Sequence, residues 1–292
     1  MTAYRFCRTD DMARLVEAHN HCWLPHHPGE PPLTLPQFKG LVRERHLWCS
    51  SCLIALEGEE PVGFLHGCKR QRETLLHRFA VHPDHLRRGH GRHLLTSISS
   101  KLAILGPPRL VVEAPAEAAA GLGLLRACGY REEETLTDWH LADTAPPGDA
   151  SRGDEAPGSL TIPVTAAELH ANRLLEDGHP SPAWERAAPS LLALGESLAG
   201  MALVQEERIV AAILYLAPSD GQEGRILQLR GTDGGEAQGP LDRLLMRLLQ
   251  RHPGRWIFPR ALPEEPAVES LWRQGFQPAA RFLRMAATAR PA

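Results

Sequence analysis

The residues whose chemistry is easiest to name lie between Phe79 and Leu95, reading Phe-Ala-Val-His-Pro-Asp-His-Leu-Arg-Arg-Gly-His-Gly-Arg-His-Leu-Leu. Gly89 and Gly91 let backbone N–H groups come close to a ligand, and Arg87, Arg88 and Arg92 put formal positive charge around them. Leu94, Leu95, Ile98 and Leu102 follow at helical spacing, so the loop opens onto a helix N-terminus with unpaired donors and a positive dipole end. An apolar strand ending at Val81 and a turn at His82-Pro83 precede it. Strand, cationic glycine loop and helix together suit an anion, phosphate above all. No Gly-Lys-Ser/Thr closes the loop, and its glycines do not fit the dinucleotide fingerprint, which excludes two common nucleotide motifs.

The elements that must hold this loop are legible on either side. Residues 4 to 8 read as a first strand, and Asp10-Asp11 opens a helix carrying Leu15, Val16 and Ala18. A His-rich and then Pro-rich segment leads to a second helix around Gln37 to Arg45. Trp48 to Leu56 and Pro61 to Cys68 form a hairpin about Gly58-Glu-Glu, and Thr74 to Val81 is a fourth strand. Leu110 to Ala114 is a fifth strand, and Ala118 to Cys128 a helix stopped at Gly129. Strand alternation places Glu73, Leu75, His77, Phe79 and Val81 on one face of the fourth strand.

Length and composition set the frame. A chain of 292 residues is comfortable for two domains, each with a real core. The net charge of −3 gives no sign of a nucleic-acid partner, and no apolar run approaches a membrane span. The start, Met-Thr-Ala-Tyr-Arg, lacks a signal peptide's apolar segment, so a cytoplasmic location is expected and the six cysteines are expected to be thiols. Basic residues are almost all Arg, with Lys confined to Lys39, Lys69 and Lys101, a usage that suggests a GC-rich bacterial source.

The string Val81-His-Pro-Asp-x-x-Arg-Arg-Gly-x-Gly-x-x-Leu-Leu95 resembles the acetyl-CoA motif of the GCN5-related N-acetyltransferases (GNAT), whose loop holds the coenzyme's pyrophosphate. The hairpin Ile-Ala-Leu-Glu-Gly-x-x-Pro-Val-Gly-Phe and the helix end Leu-Leu-Arg-Ala-Cys-Gly-Tyr are similar to further parts of that family. The resemblance implies an α/β fold, a mixed and mostly antiparallel sheet flanked by helices, with acetyl-CoA as co-substrate and an amine as acceptor. It places the pantetheine and thioester on the backbone of Phe79, Ala80 and Val81, and the pyrophosphate on Arg87, Arg88, Gly89, His90, Gly91 and Arg92. Aralkylamine acetyltransferases carry catalytic histidines on this strand, one of them at the position of His77. Its ordinary pKa near neutrality suits a base, with Glu73 second, acting through water. Three positions depart from the family pattern: Leu86 at the loop's first position, Ala118 for a helix Asn, and Leu125 for the Tyr that protonates the leaving thiolate. Tyr130 or Cys128 is then the proton donor, or the thiolate leaves unprotonated, which a thiol pKa of about 8.5 permits.

The second half repeats the plan. Met201 to Gln205 and Ile209 to Leu216 form a hairpin, Ile226 to Arg230 a strand, Leu241 to Leu249 a helix, and Val268 to Gln274 a helix stopped at Gly275. Laying Phe79 on Leu229 puts Gly89 on Gly239 and Leu94-Leu95 on Leu244-Leu245. Arg87, Arg88, Gly91 and Arg92 become Ala237, Gln238, Leu241 and Asp242. Asp233, Glu236 and Asp242 repel a pyrophosphate, so this copy reads as degenerate. The expected organisation is a GNAT domain at 1–143, a Pro/Gly-rich linker at 144–158, and a degenerate GNAT-like domain at 159–292. Completing the acceptor pocket, mediating a homodimer, or stabilising the first half are the roles open to it.

Two functional readings follow: an N-acetyltransferase acting on a primary amine of a small molecule, peptide or protein, or a non-catalytic acyl-CoA-binding module. A third class, a metal protein, has weaker sequence support. His19, His21, His26, His27 and Cys22 cluster, and Cys49-Ser-Ser-Cys52 lies beside His46, but two spaced thiolates without a second pair do not make a zinc motif, and no metal is expected. The His-rich segment falls where this family usually lines the acceptor pocket.

Overall fold

The computed structural model describes residues 2–142, 159–175, 182–219, 222–232 and 238–291. The expected linker, and residues 233–237 of the second half's loop, lie outside the described residues. Internal packing divides the chain into two compact units, Met1–Glu134 with Leu283–Ala292, and Thr135–Phe282.

In the first half the elements are β1 (Thr2–Phe6), α1 (Met12–Trp23), α2 (Leu35–Glu44), β2 (Leu53–Glu57), β3 (Glu60–Lys69), β4 (Glu73–Val81), α3 (His90–Leu105), β5 (Arg109–Pro115), α4 (Ala119–Ala127) and β6 (Arg131–Leu141). The second half gives β7 (Ser159–Pro163), α5 (Ala166–Ala171), α6 (Ala188–Leu194), β8 (Ala199–Gln205), β9 (Arg208–Leu216), β10 (Gly224–Gly231), α7 (Gln238–Arg251), β11 (Trp256–Ala261), α8 (Pro266–Arg273) and β12 (Gln277–Thr288). No helix among the described residues is long and apolar enough to cross a membrane.

In the first unit the strand order is β1-β2-β3-β4-β5-β12. β1 to β4 run antiparallel, whereas β4 and β5 pair in parallel. The second unit has the order β6-β11-β10-β9-β8-β7, again antiparallel from β7 to β10 with β10 parallel to β11. The boundary expected at residue 143 follows the chain, but the packing does not. Leu283–Thr288 of β12 belongs to the first unit and Thr135–Leu141 of β6 to the second, so each half completes its sheet with the other half's last strand. Periodicity cannot reveal this, because both strands read the same wherever they pair.

Named contacts hold each exchanged strand. Arg284 of β12 is 7% exposed and reaches Glu134 at 2.5 Å and Glu113 of β5 at 3.5 Å. Ala289 N–H donates to the Pro108 carbonyl at 2.6 Å, and Arg290 N–H to Ser99 Oγ at 2.9 Å. In the second unit Asp138 of β6 accepts from the Arg260 guanidinium at 2.6 Å and from its backbone N–H at 2.7 Å. That double hold fits the left-handed backbone of Arg260, φ 54°.

The apolar periodicity of α3 and α4 has its expected use. Leu94, Leu95, Ile98 and Leu102 of α3 and Leu122 and Leu125 of α4 are buried against Leu53, Leu65, Leu76 and Leu110 of the sheet. Trp48 to Leu56 is not one strand. A 3-10 turn at Cys49–Ser51 intervenes, and Gly67 fits against it, since a Cβ there would lie 2.3 Å from the Ser51 carbonyl oxygen.

Candidate active site

The central feature is what β4 does halfway along. Its register with β3 shifts between Leu76↔Gly67 and Arg78↔His66, so His77 is an extra residue, a β-bulge. The bulge reverses the alternation: Leu76, Phe79 and Val81 all join the core under α3, while Arg78 turns the other way, its guanidinium 4.9 Å from the Trp23 ring of α1. The single face expected for Glu73, Leu75, His77, Phe79 and Val81 is therefore corrected. An inserted residue cannot be seen in an alternation pattern.

β4 also parts from β5. The two pair only at Glu73↔Arg109, Thr74↔Leu110 and Leu75↔Val111, leaving Leu76–Val81 without that neighbour. His82 N–H donates to the Val62 carbonyl at 3.0 Å, so by antiparallel alternation Phe79 and Val81 aim their backbone groups into the gap. One of them is taken: His26 Nε2, beyond the end of α1, lies 2.8 Å from the Val81 carbonyl oxygen. The remaining edge offers backbone groups for an extended ligand to pair with.

The cationic loop lies at the end of the same strand. Arg87 has φ 60° and Gly89, the N-cap of α3, has φ 87°. Arg87, Arg88 and Arg92 are exposed, and no acidic residue occupies the first turn of α3. The two glycines do different work. A Cβ on Gly89 would meet nothing within 4 Å, so its need is the left-handed backbone. A Cβ on Gly91 would lie 2.8 Å from Leu124 Cδ2, so its need is the close packing of α3 on α4. His90 is 5% exposed, and its side chain points into the fold, with Nδ1 2.6 Å from Tyr4 Oη, leaving only its backbone to the loop. Leu86 is exposed.

On the opposite face α1 and the turn after it bring together residues that sequence reasoning did not connect. His19 and His66 are buried and stacked with ring centroids 5.3 Å apart, beside Phe64, Phe38 and Trp23. Burial pushes the His19 pKa down to about 4, with Arg78 and His27 adding to it, and holds His66 well below its ordinary value, with His19, His77 and Arg78 adding to that. Both rings are neutral at pH 7. Glu30 collects Trp23 Nε1 at 3.1 Å, Arg78 at 3.4 Å and His27 at 3.7 Å. His77 is half-buried at the bulge, near enough to His66 to disfavour its charge. Glu73 lies four residues upstream, about 13 Å of extended chain, and its carboxylate takes the Arg109 Nε–H at 3.1 Å. The structure thus brings His77 to the mouth of the splay and leaves Glu73 at the paired end.

Leu125 is fully buried in the α4 core. Tyr130 is buried, its hydroxyl without a hydrogen-bond partner among the described residues, and burial raises its pKa. Burial also raises the half-buried Cys128 thiol. All six cysteines are free. Burial raises Cys7, Cys22 and Cys68 to about 12, which keeps these thiols protonated at neutral pH.

The second unit repeats the bulge and the parting in β10, with different side chains. The register of β10 with β9 shifts between Ile226 and Gln228, making Leu227 the extra residue where the first unit has His77. β10 pairs with β11 only at Gly224↔Trp256 and Arg225↔Ile257, so the parting is repeated too. Leu241 fills, fully buried, the place of Gly91. Asp242, in the place of Arg92, binds Arg273 at 2.9 Å. Among the described residues the copy keeps the bulge and the parted strand, with Leu227, Leu241 and Asp242 where the first unit has His77, Gly91 and Arg92.

Residues 12–130 match the acetyltransferase (GNAT) family model. No curated protein matches the sequence significantly. A GCN5-related N-acetyltransferase from Sphaerobacter thermophilus aligns with all of this chain and 96% of its own at 15% identity and TM-score 0.70. A tandem GNAT protein from the clavulanic acid biosynthesis pathway aligns over 100% of both chains at 16% identity and TM-score 0.68. A GCN5-related glucosamine N-acetyltransferase region of a fungal multi-domain β-N-acetylglucosaminidase aligns with 98% of this chain and 38% of its own, at 13% identity and TM-score 0.72. At these identities the structural matches speak for the fold. The family match places a GNAT acyltransferase domain at residues 12–130, which hold the bulged and parted β4 and the loop that follows it, and the whole length has the fold of a tandem GNAT protein.

Proposed function

We propose that the first unit transfers an acetyl group from acetyl-CoA to a primary amine of a small molecule, peptide or protein. The observation that carries this reading is the gap between β4 and β5, which opens beside the exposed Arg87-Arg88-Gly89 loop. An extended pantetheine can pair with the backbone groups of Phe79 to Val81 that His26 does not take while its pyrophosphate meets the loop, so one ligand satisfies both. The chain's residues act in order. Arg87, Arg88, Arg92 and the first N–H groups of α3 hold the phosphates; the β4 edge orients the thioester and polarises its oxygen. His77 takes the proton from the incoming ammonium, the amine nitrogen bonds to the acyl carbon, and the carbon–sulfur bond breaks with its electrons on sulfur, the proton that the acylated nitrogen sheds passing to that sulfur or to solvent.

The buried Leu125 favours a second reading, a module that binds acyl-CoA without turning it over. A panel of primary amines, with free thiol measured against time, separates the two. Turnover with some amine, reduced about 10²- to 10³-fold in kcat by His77→Gln with acetyl-CoA affinity unchanged, supports the enzyme. Acetyl-CoA binding without thiol release from any amine supports the module.

A further inference from the structure

Three side chains outside the proposed chemistry converge beside the loop. Glu57 ends β2, His85 lies in the turn after β4, and His90 opens α3; one ligand atom from each lies within 4.8 Å of the other two. Glu57 Oε2 is 3.7 Å from His85 Nδ1, and Glu57 Oε1 is 3.9 Å from His90 Nε2. None of these distances is a hydrogen bond. His90 is 5% exposed and its Nε2, buried beside that carboxylate, has no hydrogen-bond partner among the described residues. A buried ring nitrogen left unbonded is costly, so a missing partner is the simplest account of it.

The surrounding contacts say what kind of partner. His90 Nδ1 is 2.6 Å from Tyr4 Oη, a contact that anchors the ring with Nε2 facing the carboxylate; with Nδ1–H donated to Tyr4, Nε2 is free to ligate. Thr2 Oγ1 donates to Glu57 Oε1 at 3.1 Å and orients that group. A buried, unbonded ring nitrogen facing a carboxylate suits a cation between the two, and a histidine whose second nitrogen is anchored is the usual form of a metal ligand. We propose that Glu57, His85 and His90 bind a zinc-class divalent ion. Two imidazoles and one carboxylate suit zinc over the hard cations, and three protein ligands leave a fourth tetrahedral position for water. Zinc bonds of about 2.0–2.2 Å separate tetrahedral donors by roughly 3.3 Å, so donor atoms that lie within 4.8 Å of one another need to close by at most about 1.5 Å. Glu57 and His85 are not fully buried and can make that movement, whereas His90 is fixed. Arg88 Nη1, now 3.5 Å from His85 Nδ1, swings off its exposed stem as the ion takes that nitrogen.

The ion would join both ends of Leu86–Gly89 to β2 and stiffen the loop, but the site stands whether or not the loop binds a coenzyme. The test uses the full chain, stripped of metal and titrated with zinc against a chromophoric chelator, and separately with cobalt(II). The expected result is one equivalent bound. Both Glu57→Gln and His85→Ala should weaken it at least tenfold, and Tyr4→Phe about 10- to 100-fold through the lost anchor. The cobalt form should show visible d–d bands without thiolate charge-transfer absorption, which separates this site from the six cysteines. Failure to bind either ion at micromolar concentration, binding unchanged in Glu57→Gln and His85→Ala, or a thiolate charge-transfer band overturns the proposal. Neither acetyl-CoA affinity nor turnover enters any of these readouts.

Discussion

Replacing Arg87 by glycine should stabilise the first unit and weaken acetyl-CoA binding at the same time. Arg87 is exposed and has φ 60°, where an L-residue carries roughly 1–2 kcal/mol of strain. Glycine relieves that strain but gives back about 0.5–1 kcal/mol through the greater freedom of its unfolded chain. The net gain is about 0.5 kcal/mol, or roughly 1–2 °C in Tm for a unit of this size. On the binding side one exposed charge-assisted contact to a phosphate is lost, about 1 kcal/mol or roughly a fivefold rise in Kd, shrinking as salt is added. Thermal melts and calorimetric titration of the same preparation read both quantities. Arg87→Lys should hold the affinity nearer to wild type without the stability gain. Gly89→Ala supplies the mirror case. Its φ of 87° should make it lose about 1 kcal/mol, although the added Cβ would meet nothing within 4 Å. A stability loss in Arg87→Gly with unchanged affinity would refute both the strain and the charge assignments.

Stability should also fall on mild acidification. His19 is held at about 4 in the fold against about 6.5 unfolded, so between those values the unfolded chain binds more protons. The stability is therefore complete above pH 6.5 and lost as the pH drops towards 4, on the order of 3 kcal/mol from this residue, with His66 shifting in the same direction. Urea midpoints measured from pH 7.5 to 4.5 should slope accordingly and flatten in His19→Gln; a flat wild-type profile would sink the assignment. In the second unit Arg186 is 1% exposed, pairs with Glu265 at 2.5 Å and donates to the carbonyls of Leu227 and Arg260. Arg186→Met should destabilise by about 3 kcal/mol or more in chemical denaturation, and an effect under about 1 kcal/mol would show that these acceptors find other partners.

The parts of this fold legible in the sequence are those with local causes. The Arg87–Gly91 loop, the helical spacing of Leu94, Leu95, Ile98 and Leu102, and the hairpins around Gly58 and Glu206 all follow from neighbouring residues. What was hidden depends on relations between distant segments. The bulge at His77 turns on how β4 pairs with β3, and only the structure shows Leu227 to be its counterpart. The exchange of β6 and β12 depends on which edge each strand reaches. The loop pattern assigns Gly91 to phosphate approach, but its missing Cβ makes room for Leu124, a residue more than thirty positions away. The same pattern gives His90 to the loop's ligand, and its side chain turns inward to Tyr4. Glu57, His85 and His90 have no recognisable ligand spacing, because they come from three elements that meet only in the fold.

The central claim is that acyl-CoA binds in the first unit alone, at the parted strand and its loop. Calorimetric titration of acetyl-CoA into the full chain tests it most directly, with Arg88→Ala combined with Gly89→Glu as the comparison. The account predicts one site per chain, abolished in the double variant. Two sites, or one that survives the double variant, would place the coenzyme elsewhere, and absence of binding at millimolar acetyl-CoA would contradict the account outright.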